Sequence, residues 1–210
     1  MIYSPVTIDS VNIQSTYGFY LVDRTLSNPT TKTNYIDIPD MQGSLDASET
    51  LGLFYEDRIL TLKFKYPPLQ TWDTDFSKLT NYLHGKKRKI VFSDDPNWYY
   101  IGRISIDEFN GPERTVTGSA RVYPYKLAVT ETTVTETVSG TSTVTLSNDA
   151  MTVVPEVTTT DEVTIAWGTN SVTISAGTYR IAGLELEEGE TELTITGSAN
   201  VTIKYRQGRL

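Results

Sequence analysis

The chain has 210 residues, 38% hydrophobic and 21% charged, with no cysteine. This excludes an extended disordered class, disulfides and thiolate metal sites, and no apolar run is long enough to cross a bilayer as a helix, so membrane insertion is not expected. The formal net charge is −8: residues 1–130 hold 14 Lys+Arg against 15 Asp+Glu (−1) and residues 131–210 hold 4 against 11 (−7), a balance that argues against binding nucleic acid by phosphate neutralisation.

The start, MIYSPVTIDSVNI, lacks the basic and continuous apolar regions of a secretory leader, which predicts a protein made and kept in the cytosol. VTIDSVNI alternates and YGFYLVDRTL follows a glycine, so both read as strands. SNPTTKTNYIDIPDMQGS mixes turn residues with a short apolar alternation. Ile36, Ile38, Met41 and Leu45 sit in a stretch too polar for a core and too apolar for open water, which suggests an arm that contacts a partner; a loop folded on its own domain is the plainer reading. Gly43 and Gly52 punctuate the approach to YEDRILTLKFKY, where Ile59, Leu60, Leu62 and Phe64 interleave with Thr61, Lys63 and Lys65 at a period near two. That period predicts a half-buried strand, stopped by Pro67-Pro68.

TWDTDFSKLTNYLHG is the one good helical pattern. Trp72, Phe76, Leu79 and Leu83 draw one apolar stripe, Thr71 or Asp73 is placed to cap the start, and Gly85 to end it in the left-handed conformation. The run Lys86, Lys87, Arg88 and Lys89 then reads as a solvated turn, with an acidic partner as the second choice. KIVFSDDPNWYYIGRISIDEF predicts a hairpin turning through 93–97. Trp98, Tyr99 and Tyr100 are consecutive, so they cannot all share one face. RTVTGSARVYPYKL supplies another strand, with Gly118 suggesting a bulge and Pro124 an edge.

AVTETTVTETVSGTST is Thr-rich and nearly free of large side chains, so it reads as a linker entering a first edge strand, with a domain boundary near 130. Beyond it VTLS, MTVV, EVTIAW, SVTIS, ELTITG and NVTIKY recur at short intervals between turn signals, as in an antiparallel β-sandwich. Val163, Ile165, Trp167, Leu193, Ile195, Val201, Ile203 and Tyr205 should face its core.

Groups for chemistry are scarce. His84 is the only histidine, in the last helical turn, where a surface imidazole is the simple reading. No Ser-His-Asp set, spaced metal-ligand loop or phosphate-binding glycine loop can be assembled. The expectation is no enzyme, with no catalytic, metal-binding or cofactor-binding residues and no cofactor.

The order GSLD, YEDRILTLKF, NYLHGK, KIVFSDDPNWYYIGRI and RVYPYKL resembles the N-terminal domain of the distal tail protein family of long non-contractile-tailed bacteriophages. ELTITGSANVTIKYRQGRL is similar to the end of that family's galectin-like domain. The resemblance implies a mostly β protein with one helix. Residues 1–130 would be a ring-forming, β-sandwich-like domain carrying the helix, and residues 131–210 a galectin-like antiparallel β-sandwich. It also implies a homo-oligomeric ring, in the family a hexamer, joining the tail tube protein to the tail-tip hub protein around a channel for DNA. Ile36, Ile38, Met41 and Leu45 are the candidate ring interface. The implied setting is the virion tail tip or baseplate, assembled in the host cytoplasm, with no sequence-specific nucleic-acid binding. The C-terminal domain would dock a receptor-binding or baseplate protein, or only stabilise the tip. Sugar-binding galectins use a His, Asn, Arg, Trp and Glu set; here the C-terminal domain has no histidine and only Trp167. A carbohydrate-binding module or adhesin, suggested by the sandwich and by Trp98, Tyr99, Tyr100 and Trp167, is the alternative.

Overall fold

A computed structural model describes residues 5–40, 42–48, 54–68 and 72–210. The protein is mostly β, with several antiparallel sheets and two helices among the described residues. The chain divides into two compact units, Met1–Lys126 and Leu127–Leu210.

The first unit opens with β1 (Val6–Ile8), β2 (Val11–Asn12), α1 (Ile13–Tyr17) and β3 (Tyr20–Leu26). VTIDSVNI is therefore two short strands rather than one, turned at Asp9 and Ser10, which both have positive φ. The helix α1 departs from the expectation of a single helix, because five residues are too few to show a period. It is fixed locally: the Asn12 side chain accepts from the Ser15 N–H, and Gly18 (φ +76°) donates to the Gln14 carbonyl. Then come β4 (Tyr35–Ile36), β5 (Leu45–Asp46), β6 (Arg58–Lys65), α2 (Trp72–Leu83), β7 (Lys87–Phe92), β8 (Trp98–Asn110) and β9 (Thr115–Val122).

Seven of these strands form one antiparallel sheet in the order β2-β1-β7-β8-β9-β6-β3. Leu60, Leu62 and Phe64 of β6 point inward and meet Ile90, Ile104, Val116 and the helix residues Leu79 and Leu83. Ile59 belongs by register to the other set and is exposed. Trp72 and Phe76, the outer half of the helical stripe, are partly buried and stack with Phe109 at ring-centroid distances of 4.4 and 4.1 Å. Gly85 has φ +72° and ends the helix; Thr71 lies outside the described residues, as do Met41 and Gly52. Lys87, Arg88 and Lys89 are not a turn but the start of β7. The bulge expected at Gly118 lies on the facing strand, where the register shifts between Ile106 and Glu108.

The strand β10 (Lys126–Ala128) crosses the junction in the chain. The second unit then holds β11 (Thr132–Asn148), β12 (Glu156–Thr159), β13 (Val163–Trp167), β14 (Asn170–Ile174), β15 (Gly177–Arg180), β16 (Gly189–Tyr205) and β17 (Gly208–Arg209). The Thr-rich stretch is mostly not a linker: β11 is 17 residues long and pairs along its whole length with the 17-residue β16. ELTITG and NVTIKY are one strand, since Gly197-Ser198-Ala199 lies inside β16. MTVV contributes only the isolated bridge Val153–Leu186. The other edge of β16 is shared, with β13 on its first half and β12 on its last. Gly140 (φ +95°) and Gly197 (φ +153°) face each other at the midpoint, where only glycine takes such angles readily. A Cβ on Gly197 would lie 2.9 Å from the Glu162 carbonyl. The expected core residues Val163, Ile165, Leu193, Ile195, Val201, Ile203 and Tyr205 are buried, and Trp167 packs against them half-buried.

Candidate functional site

The pair β3–β6 does not stop at Leu26 and Leu60. Ser27 donates to the Ile59 carbonyl, Glu56 to Thr30 and Lys32 to Phe54, at 2.8–3.0 Å, and Thr31 bridges Tyr55. Further along, the Ala47 N–H donates to the Asn34 carbonyl and β4 pairs with β5 as a short ribbon, with Tyr35 opposite Asp46 and Ile36 opposite Leu45. From Ser27 to Asp40 the chain reaches at most about 43 Å, at about 3.3 Å per residue.

Its apolar side chains meet solvent. Tyr35 is 61% exposed, Ile36 45%, Ile38 43%, Leu45 44% and Phe54 58%. Of the sequence candidates, Ile36 and Leu45 are brought face to face and Ile38 lies just beyond; Met41 is outside the described residues. Tyr35 and Phe54 belong with them, and the sequence signal for Tyr35 was its place in the same short alternation. The polar residues hold the tip's shape. Ser44 donates to Asp37 at 2.6 Å, and Asp46 accepts from the Ser48 N–H at 2.9 Å. Hydrogen bonds from the Ser48 hydroxyl and N–H hold the Asp46 carboxyl below the usual carboxylate range.

The charged run after α2 is split by strand alternation. Arg88 turns inward, bonds Asp9 at 2.8 Å and the Tyr82 carbonyl at 2.7 Å, and lies 4.2 Å from the Tyr82 ring. Burial pushes the Asp9 carboxyl up, but bonds from the Lys89 N–H and Arg88 outweigh it and leave the group below its ordinary value. Lys87 and Lys89 stay exposed on the outer face.

His84 is exposed, and its Nδ1 accepts from the Ile106 N–H at 3.0 Å, joining α2 to β8. Among the described residues no group of three or more His, Asp or Glu is placed to hold a metal ion. No described helix is long and apolar enough to cross a membrane. In the second unit a cleft of 490 Å³ is lined by Trp167, Asn170, Ser171, Tyr179 and Arg180. The Trp167 indole N–H is already bonded to the Gly183 carbonyl at 3.1 Å. Trp98 and Tyr100 are partly buried and Tyr99 is buried, so the three aromatics form no open platform.

No protein-family model matches the chain, and no curated protein matches it. Among solved structures, the crystal structure of SPP1 Dit is similar over 98% of this chain and 99% of that one, with a TM-score of 0.67 and 17% sequence identity. That protein is described as a paradigm of the hub adsorption apparatus in phages that infect Gram-positive bacteria. Both units of the chain thus fall within one solved relative, and the fold is that of the phage protein Dit.

Proposed function

We infer that this protein is a structural component of a phage tail tip, a ring that joins the tail tube to the tip hub and leaves a channel for DNA. The observation that carries this reading is the likeness to SPP1 Dit along nearly the whole length of both chains. The exposed ribbon supports self-association: an isolated two-stranded ribbon is marginal in water, and this one leaves Tyr35, Ile36, Ile38, Leu45 and Phe54 exposed. Six copies is the number the family resemblance implies. In this reading the protein catalyses nothing, resides in the virion after assembly in the host cytoplasm, and meets the tube and hub proteins at the ring. The C-terminal unit docks a receptor-binding or baseplate protein.

Ile36, Ile38 and Leu45 are already about half covered, so docking would remove the remainder, on the order of 1 kcal/mol per side chain. Repeated at every contact of a closed ring, that is enough to decide between monomer and assembly. The triple replacement Ile36→Ser, Ile38→Ser, Met41→Ser is expected to give a folded monomer in sedimentation, with the thermal melt retained. An unfolded product would place the segment in its own core, and a ring of unchanged size would place the interface elsewhere.

The carbohydrate-binding alternative has the Trp167 cleft in its favour. Against it stand the absent histidine and an indole N–H already engaged. A glycan screen is expected to be blank. Millimolar or tighter binding abolished by Trp167→Ala would favour the adhesin reading instead.

A further inference from the structure

The outer face of the first unit's sheet carries a group of cations that the fold engages only in part, through Asp57, the Gly85 carbonyl and the Tyr99 ring, which lies 5.0 Å from the Lys89 ammonium. Cross-strand register places Lys87 opposite Arg103, Arg103 opposite Arg121, and Arg121 opposite Ile59. These four side chains, all exposed, form one row across β7, β8, β9 and β6, roughly 14 Å long at about 4.8 Å per strand. Lys89 lies beside the row, opposite the half-buried Ile101, whose carbonyl accepts from the N–H of the exposed Tyr123. Like charges directly opposite one another destabilise a sheet. Local compensation is slight: Asp57 pairs with Arg121 at 2.8 Å, yet the Arg121 side chain remains 73% exposed. Arg103 gives one N–H to the Gly85 carbonyl, and a guanidinium has five donors. No ion pair among the described residues includes Lys87 or Lys89.

The ribbon has the opposite character. Residues 35–46 contain Asp37, Asp40 and Asp46 and no lysine or arginine, a charge of −3, interleaved with exposed Ile36, Ile38 and Leu45. The row of cations ends on exposed Ile59, and exposed Tyr123 lies two residues beyond Arg121. Charge answers charge and apolar surface answers apolar surface between two parts of the same chain. We propose that the tip of the ribbon of one copy docks on the Lys87–Arg103–Arg121–Ile59 row of a second copy. This rests on the reading of the ribbon as a self-association element and adds the surface that receives it. A nucleic acid would use the cations but would leave Ile59 and Tyr123 without a purpose, and would not account for the acidic tip.

The test uses the full chain and two charge-reversed variants: Lys87→Glu with Arg121→Glu on the face, and Asp37→Lys with Asp40→Lys on the tip. Each alone should associate at least about tenfold more weakly than the parent by sedimentation velocity, with an unchanged melting curve. An equimolar mixture should reassemble, because each reversed tip then meets a reversed face and each unmodified tip an unmodified face. An even-numbered ring permits that alternation. Recovery in the mixture cannot come from misfolding, so it separates a lost contact from a lost fold. If the face variant assembles like the parent while the Ile36, Ile38 and Met41 triple variant is monomeric, the ribbon is the interface and the row is not its receiver. A parent that stays monomeric at every concentration would overturn both readings. Oligonucleotide binding lost in the face variant, with assembly untouched, would assign the row to nucleic acid and overturn the proposal.

Discussion

Replacing Gly102 by alanine is expected to unfold the N-terminal unit. Gly102 lies in β8 opposite Val122 of β9, in the middle of the strand path β2-β1-β7-β8-β9-β6-β3. A Cβ built there would sit 2.3 Å from the Arg121 carbonyl oxygen and 2.8 Å from Val122 Cγ1. Overpacking usually costs about 1–3 kcal/mol when flexible side chains can give way. Here the obstacle is the backbone of a strand held on its other edge by β6, so the cost should exceed about 3 kcal/mol, a large part of a typical stability of about 5–15 kcal/mol. Urea titration followed by circular dichroism checks this. The midpoint should fall sharply or the folded baseline should vanish; an unchanged midpoint would mean that the β8–β9 spacing yields easily.

The second large effect is expected from Phe64→Ala. Phe64 is among the largest fully buried side chains and is 1% exposed, within the cluster that includes Leu62, Leu79, Leu83 and Val116. Removing it should cost about 3–5 kcal/mol. The two cores share no residue, so the loss should fall on residues 1–126 alone. Calorimetry should show one transition lowered by roughly 10 °C or more, with the transition of residues 127–210 where it was. One cooperative step moving as a whole would show that the units do not melt separately.

Much of this architecture is legible in the sequence. The β6 alternation, the Trp72-to-Leu83 stripe, the left-handed Gly85 and the core positions of β13 and β16 follow from period and from glycine chemistry. What escaped has physical causes. The strand β11 hid because its outward positions are Thr and Ser and its inward ones include Glu136 beside the small Val134 and Val138, so it lacks the bulk that marks a strand. Gly197 imitated a turn because a bend within a strand and a turn between strands need the same backbone freedom. Ile59 was grouped with the core, although its register places it outside. The exposed apolar character of Ile36, Ile38 and Leu45 could be read directly, being local. The basic row could not: Ile59, Lys87, Arg103 and Arg121 are far apart in the chain and meet only through the register of four strands.

The bent strand β16 also bears on how the protein is made. It is the common partner of β11, β12 and β13, and it follows all three of them in the chain. Until it emerges, those three strands wait with unpaired edges, which is the condition that invites aggregation. By Val122, in contrast, the strands β2-β1-β7-β8-β9-β6-β3 of the N-terminal sheet have all been made and can pair while the ribosome is still at work. A chain cut short before Gly189 would therefore carry a finished first unit and a second unit without its spine, a product suited to capture by chaperones rather than to assembly.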